Sequence, residues 1–188
     1  MTTPRKPRDE EIDVVGLTHV GRVRKENQDQ FLIASITKRT ELLSTSLSAT
    51  ERLPIGDERL AFIAMVADGV GGGVGGAEAS ATALESALQY VHSSTNCYYH
   101  ADGADESFIE DLQRAAIACH EAIRAKRAEA GDTRTMATTL TLFMGVWPAY
   151  YLLQVGDSRY YLYRGGELTQ VTRDQTMAED LVDRGVFT

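Results

Sequence analysis

The sequence predicts an α+β layered fold, and three observations predict it. Two long helix-forming stretches, 77–92 and 107–130, stand next to each other in the middle of the chain, strand-like runs flank them on both sides, and the later runs are joined by short hairpin turns. Adjacent helices set between hairpin-joined strands fit antiparallel sheets covered by helices, not alternating parallel units. At 188 residues and 43% apolar, the chain can bury roughly 70% of its unfolded surface. It needs no disulfide framework or metal clip merely to fold, and it carries no internal repeat.

Residues 1–11 are polar, with two prolines, and read as a flexible tail. Ile12 to Val20 and Gln30 to Ile36 are β-branched and aliphatic, predicting two strands around the charged turn Gly21 to Asp29. Residues 37–59 are rich in Ser and Thr and contain Leu-Pro-Ile-Gly-Asp, as expected of an irregular insertion. Leu60 to Ala67 is a near-continuous apolar run, the pattern of a strand buried on both faces.

Ala77 to His92 is rich in Ala, Leu, Glu and Gln and predicts a helix. Ser107-Phe-Ile-Glu110 has capping-box spacing. Behind it Phe108, Leu112, Cys119 and Ile123 recur at helical spacing, and Gly131 is placed to end that helix. From Thr138 the period becomes two: Leu140, Leu142, Met144 and Val146 alternate with Thr139, Thr141, Phe143 and Gly145, a strand with one buried face. Tyr150 to Val155 and Tyr160 to Arg164 read as further strands, with Gly165-Gly166 as the hairpin turn into Glu167 to Thr172. Met177 to Gly185 reads as a short helix.

Nineteen Lys and Arg against 27 Asp and Glu leave a net charge of −8. That balance argues against a sequence-independent grip on nucleic acid and against adsorption to an anionic membrane. Cys97 and Cys119 are too few and too far apart for a zinc site or a secreted scaffold. The basic N-terminus has no apolar stretch behind it, and the longest apolar run falls far short of the ~20 residues of a spanning helix. A cytoplasmic, monomeric protein is expected.

Six of the sixteen glycines fall between Gly69 and Gly76, after the apolar strand and before a helix. Gly71-x-Gly73-x-x-Gly76 satisfies the dinucleotide fingerprint literally, but no second strand with a ribose-binding acid follows, and Asp68 stands where phosphate would arrive. Asp68 itself supports a better reading. A carboxylate leaving a strand beside permissive glycines suits a hard divalent cation, and Asp29 and Asp157 occupy comparable strand ends. Two carboxylates ~5 Å apart would repel by ~3 kcal/mol at an effective dielectric of ~20, a strain that a metal relieves.

Four segments in order, Gly21-Arg-Val-Arg-Lys-Glu-Asn-Gln-Asp29, Val66-Ala-Asp-Gly-Val-Gly-Gly72, Met136-Ala-Thr-Thr-Leu-Thr141 and Val155-Gly-Asp-Ser-Arg159, resemble the bacterial metal-dependent serine/threonine phosphatases of the 2C type. The resemblance implies a four-layer α-β-β-α sandwich of two antiparallel sheets. It implies that Asp68 bridges two Mn²⁺ or Mg²⁺ ions, that the Gly69 carbonyl ligates one, that Asp29 supports the metals, and that Asp157 holds a third, weaker ion. Arg24 matches the arginine that holds the substrate phosphate. Thr138 and Thr139 match a strand lining the metal centre, in a structural role.

The implied activity is hydrolysis of phosphoserine and phosphothreonine in proteins by a metal-activated water, on substrates of a serine/threonine kinase. Two positions depart from the family pattern: Gln28 stands where an acid is common, and Val70 where some members place a histidine. The four histidines show no ligand spacing and read as ordinary surface or helix residues. The family domain supplies two more metal-binding aspartates on late strands, beyond a flap for which 172–188 look like the start. Residues 12–188 are therefore expected to be the N-terminal part of such a domain. The competing reading is a non-catalytic phosphoprotein-binding module.

Overall fold

A computed structural model describes residues 5–70, 74–94, 106–131 and 136–183. Gly71 to Gly73, Cys97, His100, Gly185 and the side chain of Ser107 lie outside the described residues, so the glycine fingerprint and the capping box do too.

The main sheet comprises β1 (Asp29–Thr40), β2 (Gly56–Val70), β3 (Ala137–Thr138), β4 (Leu140–Val146) and β5 (Ala149–Val155). All its pairings are antiparallel, in the order β1-β2-β4-β5, with β3 on the end of β2. Helices α1 (Val74–Ser93) and α2 (Glu106–Glu129) follow β2, and β6 (Tyr161–Arg164) and β7 (Glu167–Gln170) form a separate ribbon before α3 (Met177–Asp183). The α+β class and the two helices agree with the sequence pattern. Gly131 ends α2 at φ +58°, and Gly165 and Gly166 both turn at positive φ between β6 and β7, as a two-residue hairpin of this hand requires.

The core lies on one face of the sheet. Ala61, Ile63, Met65 and Ala67 of β2 and Leu140, Leu142, Met144 and Val146 of β4 are buried against α1 and α2. Ala79, Ala83 and Ala87, spaced by four on α1, are at most 1% exposed. These small side chains let the helix settle close to the bulky sheet residues, and Val91 closes the same stripe.

The other face of the sheet is open, which corrects the expectation that Leu60 to Ala67 is buried on both sides. Burial in β2 alternates, and Val66 is 44% exposed. Among the described residues one helical layer covers this sheet, so every second residue is buried. On the open face Phe143 stacks on Tyr160 and on Tyr150, with Phe62 edge-on to it.

Three further expectations change. Ile12 to Val20 is no strand: among the described residues no strand pairs with it, and Val15 and Leu17 are largely exposed. It lies against β1 instead, with Gly16 so close to the Phe31 ring that a Cβ would meet it at 2.1 Å. The 37–59 insertion is irregular over 41–55 as expected, but its two ends are not: Thr37 pairs with Arg59 and Thr40 with Gly56, which extends the β1–β2 hairpin beyond a bulge at Ile36/Thr37. Residues 5–11, expected to be a flexible tail, are strapped to β2. The Arg59 guanidinium pairs with Asp9 and donates to the Pro7 carbonyl at 2.6 Å, while Lys6 donates to the Arg59 carbonyl. Arg5 and the Arg8 backbone N–H bind Glu11 and hold its carboxyl down to about 2.

Cys119 is buried between α2 and α1, its thiol against the Ala83 carbonyl at 3.3 Å. Burial pushes the thiol from 9.0 up to about 11. The unfolded chain then releases this proton before the folded chain does, so stability falls as pH rises from about 9 to about 11 and is unaffected below. At pH 8, iodoacetamide should leave Cys119 unmodified in the folded chain and label it in urea, as read by peptide mass mapping. Native labelling at the rate of a free thiol would contradict this packing.

Candidate metal and phosphate site

Register creates the site. Asp29 opens β1 and lies directly opposite Asp68 near the end of β2. Residues opposite each other on antiparallel strands project to the same face. Ala67 and Gly69 are buried, so the alternation places Asp68 on the open side, and Asp29 with it.

The backbone of Asp68 is held on every side. Its N–H donates to Thr139 Oγ1 at 2.9 Å, and its carbonyl accepts from the Thr139 N–H and the Thr138 hydroxyl, both at 2.9 Å. Thr139 Oγ1 also meets Ser158 Oγ at 2.7 Å, and Thr141 Oγ1 donates to the Ser158 carbonyl at 3.1 Å. These hydroxyls join Asp68 to the turn that carries Asp157. Gly156 enters that turn at φ +100°, with Thr139 Cγ2 only 2.7 Å from where a Cβ would stand, so geometry and space both demand glycine. The Gly156 N–H donates to Gln175 Oε1 at 2.9 Å, and Arg159 grips Asp174 with two bonds of 2.8 and 2.6 Å, fastening 172–176 to the same turn.

The arginine loop is anchored as firmly. The Gln28 carbonyl accepts from the buried Ser80 hydroxyl of α1 at 2.7 Å and from the Gly69 N–H at 3.3 Å. A Cβ on Gly69 would stand 2.2 Å from the Gly76 carbonyl oxygen, so loop, strand end and first helical turn meet without room for a side chain. The Gln28 side chain lies against Gly76, where Oε1 would be 2.4 Å from an added Cβ.

Around Asp29, Asp68 and Gly69 opens a cavity of about 380 Å³, lined also by His19, Arg24 and Lys25. A neighbouring cavity of about 300 Å³ shares His19, Asp29 and Asp68 and reaches Ser158. Partial burial raises the Asp68 carboxyl above the usual carboxylate range; a hydrogen bond with the Asp29 carboxyl and the charges of Asp29 and Asp157 raise it further, while Arg24 opposes them. The structure thus brings together Arg24, Asp29, Asp68 and Gly69 and sets Asp157 within electrostatic reach. Among the described residues, no three His, Cys, Asp or Glu side chains stand close enough to share one ion.

Sequence reasoning missed Ser80, Ser158, Gln175 and the cavity position of His19. The one available signal was Thr139-x-Thr141 in an otherwise apolar strand: both are 5% exposed, and buried hydroxyls need partners. The antiparallel order also removes the dinucleotide reading, which requires a parallel crossover.

Comparison with known proteins shows the family of the chain. Residues 55–179 match the protein phosphatase 2C family. The serine/threonine protein phosphatase PstP of Mycobacterium tuberculosis is 35% identical over 128 residues, which cover 68% of this chain and 23% of PstP. The solved catalytic domain of PstP in complex with two manganese ions aligns with a TM-score of 0.61 at 28% identity, over 92% of this chain and 60% of that one. The serine/threonine phosphatase of S. agalactiae aligns at 0.59 and 25% identity, with the same coverage. The chain therefore spans about a quarter of its curated relative and about three-fifths of the solved phosphatases. Residues 55–179 carry both the Asp68 strand end and the Asp157 turn, and on that match the chain belongs to the protein phosphatase 2C family.

Proposed function

We propose that this chain forms part of a metal-dependent phosphatase domain acting on phosphoserine and phosphothreonine in proteins, the products of serine/threonine kinases. The observation that carries this reading is the Asp29–Asp68 pair, two carboxylates held side by side by strand register, with Arg24 opposing their charge on Asp68. The donor set is all oxygen, which fits Mn²⁺ or Mg²⁺ and not a thiolate-seeking metal. Asp68 would bridge two such ions, the Gly69 carbonyl and Asp29 would support them, and Asp157 would serve a third. Bound there, the ions neutralise the carboxylates and supply Lewis acidity toward a phosphate monoester.

The protein's own groups do the rest. The Arg24 guanidinium, in the same cavity, offers parallel N–H donors to two phosphoryl oxygens. The hydroxyl network fixes the Asp68 backbone, so the carboxylate extends from an already ordered strand end when charge develops on the phosphoryl oxygens. Cys119 takes no part, since its thiol is buried in the helical layer and raised to about 11. A second reading, phosphoprotein binding without hydrolysis, draws on the lack of a three-ligand group among the described residues.

Three outcomes test the proposal. Asp68→Asn should raise the melting temperature in EDTA by about 2–4 °C, the shift expected of ~1 kcal/mol of relieved repulsion in a chain of this size, and should abolish stabilisation by Mn²⁺. A lower metal-free melting temperature would show that the acid pair is not strained. A phosphothreonine peptide should be hydrolysed only with Mn²⁺ or Mg²⁺; turnover persisting in EDTA removes the metal reading, and binding without turnover selects the non-catalytic one. Arg24→Ala should weaken peptide binding about tenfold or more, the scale of lost hydrogen bonds to a charged group, with Mn²⁺ affinity unchanged by calorimetry.

A further inference from the structure

His19 has no part in the residue roles above, yet it lines both cavities that meet at Asp29 and Asp68. Its Nδ1 accepts a 2.9 Å hydrogen bond from the Gly21 N–H, where the chain turns at φ +77°. A neutral imidazole whose Nδ1 is an acceptor carries its proton on Nε2. The ring's support is tied to the strand that bears Asp29: the Thr18 hydroxyl donates to the Asp29 carbonyl at 3.4 Å and accepts from Asn27 Nδ2 at 2.5 Å. The charged groups lining the shared cavity are Arg24, Lys25, Glu26, Asp29 and Asp68.

We propose that His19 is a phosphoryl-binding residue, its Nε2–H donating a hydrogen bond to an oxygen of the phosphate monoester beside Arg24. The two donors differ in kind. Arg24 brings charge and a planar fork, whereas neutral His19 brings a single directed N–H fixed by the Gly21 amide, which adds geometric selection without adding charge. Because the donor is the neutral tautomer, the role involves no proton transfer. The inference rests on the phosphatase reading and deepens it, by naming a second protein contact for the phosphoryl group.

The test is equilibrium binding of inorganic phosphate to the Mg²⁺-loaded chain, with no turnover involved. Phosphate should shift the ¹⁵N resonance of His19 Nε2 while leaving its Nδ1 in place. His19→Leu should weaken phosphate binding about tenfold, as loss of one hydrogen bond to a charged group does. His19→Gln, whose amide N–H replaces that of Nε2, should retain binding within about threefold, and Mg²⁺ affinity should be unchanged in both variants. An unmoved Nε2 resonance at saturation, or a His19→Leu chain that binds phosphate like the parent, overturns the proposal. Should His19→Leu fail to fold, the resonance and His19→Gln decide. A parent that binds Mg²⁺ but no phosphate overturns the His19 assignment and leaves the metal reading standing, whereas a parent that binds neither overturns both.

Discussion

The antiparallel register of β1 on β2 is the constraint on which the rest depends. It sets Asp29 opposite Asp68 and places both carboxyls on the face that the helices leave open. A slip of one residue would turn Asp68 into the helical layer and bring Ala67 to the site, because side chains alternate along a strand. The bulge at Ile36/Thr37 lies at the far end of the hairpin, so the irregular tip at 41–55 is accommodated there while the eight pairs from Asp29/Asp68 to Ile36/Ala61 keep one unbroken register.

Holding two like charges together is unfavourable in the absence of a cation, and the surrounding structure opposes their separation. The Asp68 backbone is fixed by Thr138 and Thr139, and Thr139 in turn by Ser158. Buried hydroxyls must be satisfied or they destabilise the fold by about 1–3 kcal/mol each, so these side chains maintain the site as a by-product of satisfying themselves. Gly69, Gly76 and Gly156 contribute by the absence of a side chain, since each stands where a Cβ would collide with a neighbouring segment. The acids of the proposed site are therefore held in position by neutral residues around them.

The sheet is asymmetric. One face is closed by the alanine stripe of α1 and by α2; the other shows Phe31, Val66 and Tyr150 and, among the described residues, receives the 12–20 segment, the strap at 5–11 and the Tyr160 ring. The solved phosphatases of similar fold are longer than this chain, which covers 60% of them. The acid pair sits on the less covered face, away from the apolar core.

The sequence by itself determined the local elements. Alanine-rich and amphipathic spacing marked both helices, the period of two marked β4, and the paired glycines marked the β6–β7 turn. These are interactions between residues near in sequence, and they survive whatever the rest of the chain does. Strand-end acids likewise nominated Asp29, Asp68 and Asp157, and the family resemblance of the ordered motifs added Arg24, because residue types are written directly in the chain. What only the tertiary structure decided was partnership and cover: that 12–20 finds no strand to pair with among the described residues, that 37–40 and 56–59 pair around an irregular tip, that Leu60 to Ala67 has a single buried face, and that His19 joins the cavity wall. Each of these depends on contacts between residues distant along the chain, such as Thr139 with Asp68 across 71 positions or Ser80 with Gln28 across 52. Periodicity shows that a residue has an apolar or polar side. It does not show what will be brought against that side, and here that choice was made by strand register and by which face the helices cover.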